Sequence, residues 1–153
     1  MNVKATLSPD DLARACADAM WREDDASKGL GMEILAVGPG HATLTMIVQP
    51  HMVNGQRIAH GGFIFLLADS TFAFACNSRN ERTVAAQCAI TFIKSGKLGD
   101  RLVATAREIS RSGRSGIYDI SVTTGDVVIA EFRGHSRTVG GTWLPVEAET
   151  KST

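Results

Sequence analysis

Residues 60–78, HGGFIFLLADSTFAFACNS, read as a helix that is apolar on nearly every side. Phe63, Ile64, Phe65, Leu66, Leu67, Phe72, Phe74 and Ala75 all favour a dry environment, yet one carboxylate, Asp69, stands among them. A helix of this kind has to be covered on all sides, by its own sheet and by something further. In a chain of 153 residues, long enough for one sizeable core, the further cover is most naturally a second copy of the same chain. The expectation is an α+β domain, a long central helix from about Gly61 to Asn77 wrapped by an antiparallel sheet.

The flanking sequence supplies that sheet. Upstream, Ser8-Pro9-Asp10-Asp11 carries a capping hydroxyl, a proline for the first turn and acids for the positive dipole end. It predicts a helix over about 9–24, with Leu12, Ala15, Cys16, Ala19 and Met20 on its buried stripe. Gly29 and Gly31 then break the chain, and MEILAVG and GHATLTMIVQ read as two strands joined at Gly38-Pro39-Gly40. PHMVNGQRIA is a loop, having a proline, an Asn-Gly pair and no period. Downstream, TVAAQCAITFIK, RLVATAREISR, IYDISVTT and VVIAEFRGHSRTV are strands separated by turns at SGKLGD, Ser112-Gly113 and Gly125-Asp126, and together they predict a meander. One domain is expected over 1–153, with its core at about 30–140 and a loose tail over 142–153.

Composition narrows the function classes. Sixteen basic and sixteen acidic residues cancel, so the chain as a whole presents no field for nucleic acid or an anionic membrane. The cancellation hides an asymmetry: residues 79–140 hold ten Lys or Arg against six acids, and residues 1–78 hold five against eight. That asymmetry is either a set of solvated strand faces or a modest basic patch for a small anion. Cys16, Cys76 and Cys88 are odd in number and lack a C-x-x-C spacing, and the four histidines are scattered, so neither a disulfide framework nor a metal site is expected. No apolar signal core or span of ~20 apolar residues is visible. The expectation is a cytoplasmic protein that is not membrane-bound.

The helix start raises a chemical possibility. Glycines at 61 and 62 leave backbone N–H groups open to close approach at the positive end of the helix dipole. Such a place binds anions or stabilises the oxyanion formed when a carbonyl is attacked, although paired glycines also serve simply as a turn. Asp69 is likewise either satisfied by neighbours such as Ser70 and Thr71 or held ready as a base. Distance constrains the catalytic alternative. Eight residues along a helix separate Gly61 from Asp69 by roughly 12 Å, whereas reacting groups approach to about 3–3.5 Å. If both act on one substrate, the two groups must come from two antiparallel copies.

Val53-Asn54-Gly55, His60-Gly61-Gly62, Leu67-Ala68-Asp69 and the run Ala75-Cys76-Asn77-Ser78 together resemble the hotdog-fold acyl-CoA thioesterases, most closely those of the PaaI type from phenylacetic acid degradation. The likeness runs from about Ala13 to Thr142 and includes EFRGHSRTVGG. It implies a homodimer with shared active sites, commonly paired into a homotetramer. It further implies a coenzyme A thioester as substrate, with no separate cofactor. By the same resemblance Asp69 is the nucleophile or general base, the Gly61 N–H polarises the thioester carbonyl, Asn54 orients the carbonyl or the water, and His60 shapes the helix start. Some relatives place Ser or Thr on the following strand to hold the attacking water, where this chain has Ala85.

Coenzyme A carries an anionic end that needs cations near the mouth of its site. Gly62, Lys97, Arg111, Gly113, Arg114 and Ser115 are the candidates, with His135, Ser136 and Arg137 behind them; a solvated hairpin with two arginines is the alternative. Phe63, Phe72, Phe74 and Trp21 either line an acyl pocket or fill the core. Two other activities suit the same scaffold: an acyl-CoA dehydratase or isomerase, which would release no free thiol, and a non-catalytic acyl-CoA-binding module, which would leave Asp69 without a task.

Overall fold

A computed structural model of the chain describes residues 6–146. Helix α1 (Pro9–Glu23) starts where the sequence predicts, with the Ser8 hydroxyl accepting from the Asp11 N–H. Its buried stripe is Ala13, Cys16 and Ala17, rotated from the one expected; Leu12, Ala15 and Ala19 stay half-buried. Small side chains at 13, 16 and 17 let the helix backbone approach the protein closely, and that approach outweighs the bulk of Leu12. A short helix not expected from the sequence, α2 (Asp25–Gly29), follows directly, capped by the Asp24 carboxylate on the Ser27 N–H.

Strands β1 (Glu33–Gly38) and β2 (His41–Ile47) form the predicted hairpin, and a 3-10 turn at Pro50–Met52 opens the loop that leads to the central helix α3 (Gly61–Cys76). Then come β3 (Thr83–Phe92), β4 (Arg101–Ser112), β5 (Ser115–Thr124) and β6 (Val127–Thr138). All pairings are antiparallel, and the order across the sheet is β1-β2-β4-β5-β6-β3. The sheet is therefore not a simple meander. The chain leaves β2, passes along α3 and re-enters at the far edge as β3, beside β6; β4 then returns to lie against β2. This is the hotdog arrangement, one helix wrapped by one antiparallel sheet.

Alternation places one face of the sheet on α3. Leu44, Met46, Leu102, Ala104, Ala106, Tyr118, Ile120, Val122 and Phe132 are buried against Ile64, Leu67, Ala68, Phe72 and Phe74. Gly134 on β6 is there because a β-carbon would stand 2.7 Å from the Phe72 ring. The opposite face of the sheet is polar, with Arg133 paired to Asp119 at 2.6 Å and the Ser121 hydroxyl donating to Glu131. At the β4–β5 turn Gly113 adopts φ +58°, as a tight hairpin requires.

The end of α3 is tied down by the motif's own polar residues. Asn77, 2% exposed, donates to the Ala73 and Thr83 carbonyls and accepts from the Thr83 N–H and the Trp143 indole. Ser78 donates to the Ala75 carbonyl and accepts from the Gly40 N–H. The expected loose tail is attached over its first residues: Asn80 accepts from the Trp143 and Leu144 N–H groups, and the Arg82 guanidinium stacks over Trp143 at 4.0 Å. The remainder of that tail, 147–153, lies outside the described residues. Among the described residues no helix is long and apolar enough to cross a membrane.

Candidate active site

His60 caps α3, its Nδ1 accepting from the Gly62 N–H at 2.9 Å. That bond separates the two glycines. The Gly62 N–H is already taken by its own chain, so its expected role on coenzyme A loses its donor. The Gly61 N–H has no hydrogen-bond partner among the described residues, as a first-turn amide lacks one within its helix. His60 shapes the helix start, and its Nδ1 is occupied in doing so.

Gly61 opens onto a cavity of about 370 Å³ lined also by Asn54, Ile58, Ala59, Ile64 and Phe92, with Ile93, Lys94 and Ser95 at the strand end. Asn54 faces it for a structural reason. Its side-chain oxygen accepts from the Gln56 and Ile58 N–H groups, closing the loop, and only the oxygen end can accept from two donors. Its NH2 end is left over. The cavity is thus approached by two donors without partners in the described chain, the Gly61 N–H and the Asn54 amide.

Asp69 stands on a stripe of α3 that the sheet does not fully cover, with Leu66, Ala73 and Cys76 at helical spacing. Neither neighbour satisfies it: the Ser70 hydroxyl pairs with Ser27 at 2.8 Å, and Thr71 donates to the Leu67 carbonyl at 2.7 Å. No donor among the described residues reaches its carboxylate. Burial pushes its pKa above the ordinary 3.8. Two thiols lie near enough to feel the charge. Burial, with a smaller push from Asp69, raises Cys76 to about 12 and Cys88 to about 11, so both are protonated and neither is a thiolate nucleophile at neutral pH. Within one chain, Asp69 does not line the cavity at Gly61.

The cations expected at coenzyme A fall at two ends of the molecule. Lys97 is exposed in the turn before β4, and Arg111, Gly113, Arg114 and Ser115 are at the far end of that strand, about 35–40 Å away for twelve residues of strand. Arg111 pairs with Glu81 at 3.4 Å, and the Arg114 guanidinium donates to the Thr138 carbonyl at 3.2 Å. His135, Ser136 and Arg137 line a recess together with Ser115, and Ser136 shares a second, smaller one with Arg111, Gly113 and Ser115. The cation beside the Gly61 cavity is Lys94, which sequence reasoning passed over. Its signal was its place two residues after the last apolar residue of the strand alternation, Phe92. Among the described residues, no three His, Cys, Asp or Glu side chains are grouped so as to hold a metal ion.

A hotdog sheet, a helix start with a free amide facing a cavity, and a half-buried carboxylate with no donor among the described residues on the same helix are the features the sequence led one to expect of a thioesterase. Comparison with known proteins gives the family. The thioesterase superfamily model matches residues 56–131. The curated acyl-coenzyme A thioesterase PaaI of Escherichia coli K12 is 42% identical over 127 residues, spanning 82% of this chain and 91% of that protein. The solved structure of E. coli PaaI, from the phenylacetic acid degradation operon, has a TM-score of 0.87 at 40% identity, covering 88% of this chain and 99% of that one. A structure of smu.793 from Streptococcus mutans, bound to acetyl CoA, has a TM-score of 0.70 at 28% identity, covering 72% and 90% of the two chains. The chain belongs to the thioesterase superfamily and is a thioester hydrolase.

Proposed function

We propose that this protein hydrolyses acyl-CoA thioesters, arylacetyl-CoA such as phenylacetyl-CoA in particular, at sites shared between two copies of the chain. The single observation that carries the mechanism is the division of labour on α3: an unspent N–H at Gly61 inside a cavity, and an unspent carboxylate at Asp69 outside it. The Gly61 N–H and the Asn54 amide donate to the thioester oxygen, where charge develops on attack. Asp69 of the partner subunit serves as nucleophile or general base; as base it removes a proton from water while the oxygen adds to the carbonyl carbon. The tetrahedral intermediate collapses, the C–S bond breaks, and coenzyme A leaves as a thiolate of modest basicity that then takes up the proton. The aryl preference rests on the likeness to PaaI, and the coenzyme A arm also on the acetyl CoA named for the S. mutans relative.

Strand β3 supports the two-chain site. It is an edge strand of ten residues with no charge and no proline, and Val84, Ala85, Ala86, Ala89 and Phe92 are exposed on it. Such an edge invites pairing with its own copy. Antiparallel β3–β3 pairing continues the sheet into the second chain and sets the two α3 helices antiparallel beneath it, each start beside the other's uncovered stripe. It also brings the Arg111–Ser115 hairpin of one chain toward the Lys94–Lys97 end of the other, so the two separated groups of cations can serve one coenzyme A. Pairs of dimers would complete a tetramer. In the assay, Asp69→Asn is expected to abolish thiol release from phenylacetyl-CoA while a non-hydrolysable thioether analogue still binds. Turnover at the wild-type rate in that variant rules the mechanism out.

A further inference from the structure

The cavity holds one more residue that neither the motif nor the charge pattern singles out. Phe92 ends β3, is 51% exposed despite its size, and lines the cavity beside Gly61. Its ring occupies the place a side chain on Gly61 would need. A β-carbon at 61 would stand 2.8 Å from the Phe92 Cζ and 3.2 and 3.3 Å from Cε1 and Cε2. At Gly62 the nearest atom is the capping Nδ1 of His60, at 3.0 Å. The α-carbon carrying the free N–H is the one pressed by the Phe92 ring.

We propose that Phe92 is a positioning residue for the thioester: its ring packs on the Gly61 backbone, walls the cavity with Ile58, Ile64 and Ile93, and holds the acyl carbonyl oxygen against the Gly61 N–H, keeping water off that amide while the carbonyl carbon stays open to attack. This rests on the assignment of Gly61 as the carbonyl's donor. Glycine is required at 61 because of that ring, and not for its backbone freedom, since the position is ordinary first-turn helix. Part of the half-exposed ring lies on the β3 edge offered for pairing; the part that packs on Gly61 is the apolar wall of a cavity that receives a thioester.

The consequence is an allele-specific suppression. Gly61→Ala keeps the N–H but drives the ring into the cavity, and a displacement of about 1 Å at a reacting group costs on the order of 10²-fold in kcat. Removing the ring as well, in Gly61→Ala/Phe92→Ala, makes room for the methyl group and is expected to restore at least about tenfold of that loss. Phe92→Ala alone should act mainly by raising KM, and Phe92→Leu, which keeps an apolar wall, should largely rescue it. Wild-type kcat in Gly61→Ala, or a double variant no faster than Gly61→Ala, overturns the proposal. If Gly61→Ala does not fold, Phe92→Trp and Phe92→Leu decide. The larger ring should lower kcat and the smaller side chain should not, and equal kcat in the two overturns it. Asp69→Asn assayed alongside separates the two levels. Its full activity removes the hydrolytic mechanism itself, whereas its inactivity beside a failed suppression removes only the role given to Phe92.

Discussion

Asp69 is half-buried, and no donor of the described chain meets its carboxylate. Because burial raises its pKa, the charged form is disfavoured in the folded protein, and two consequences follow with opposite signs. Catalysis by the carboxylate needs the charged form, so the acid limb of kcat/KM should fall at a pH above the ordinary aspartate value of 3.8. Stability behaves the other way: a group with a raised folded pKa contributes most below its unfolded pKa, and the contribution is lost as pH rises through the folded value. Asp69→Asn should therefore melt higher than the wild type at pH 7, with the difference vanishing as the pH approaches 3.8. Melting curves of the two proteins at pH 4 and pH 7 test this. An Asn variant less stable at both pH values would mean that the carboxylate has partners.

Helix α3 works because its two ends are fixed by different means. At the start, His60 consumes the Gly62 amide and leaves the preceding one, that of Gly61, free. At the finish, Asn77 joins the last turn of α3, the first residue of β3 and the Trp143 indole in one buried node. Asn77→Ala takes the side-chain partner from three polar groups, the Thr83 N–H and carbonyl and the Trp143 indole, and a loss of about 3 kcal/mol is expected from the usual cost of unpaired buried groups. Denaturant midpoints at a fixed protein concentration would show it, and a change below roughly 0.5 kcal/mol would show that water replaces the amide. Asn77 and Ser78, part of the motif that carries the family resemblance, thus hold the end of the helix. The asparagine of the motif that reaches the cavity is Asn54, whose oxygen is spent on its own loop and whose NH2 is free.

For the whole molecule, the uncharged ten-residue edge strand and the uncovered stripe of the helix are the two features on which the proposed pairing of two copies rests. Gly61→Pro removes the N–H at a first-turn position whose backbone suits proline, although its β-carbon also meets the Phe92 ring, and Asp69→Asn removes the acid. Each variant alone should be inactive. After mixing and subunit exchange, random pairing gives heterodimers in which one site carries both lesions and the other neither, so about a quarter of wild-type activity should return. Sites contained within one chain would recover nothing, and that result would end the shared-site reading.

Much of this was legible without coordinates. The apolar run after His60-Gly61-Gly62, the Ser8 cap and the turns at Gly113 and Gly125 are local signals, set by side-chain period and backbone preference, and the structure repeats them. The roughly 12 Å between Gly61 and Asp69 is likewise a property of any helix. What depended on long-range pairing was not legible. The position of β3 at the far edge, the separation of Lys97 from Arg111, the approach of Lys94 and Phe92 to Gly61, and the attachment of Trp143 all arise between residues distant in the chain. Which of two adjacent glycines keeps a free amide was decided by a single 2.9 Å hydrogen bond, because a donor once paired has nothing left to give a substrate.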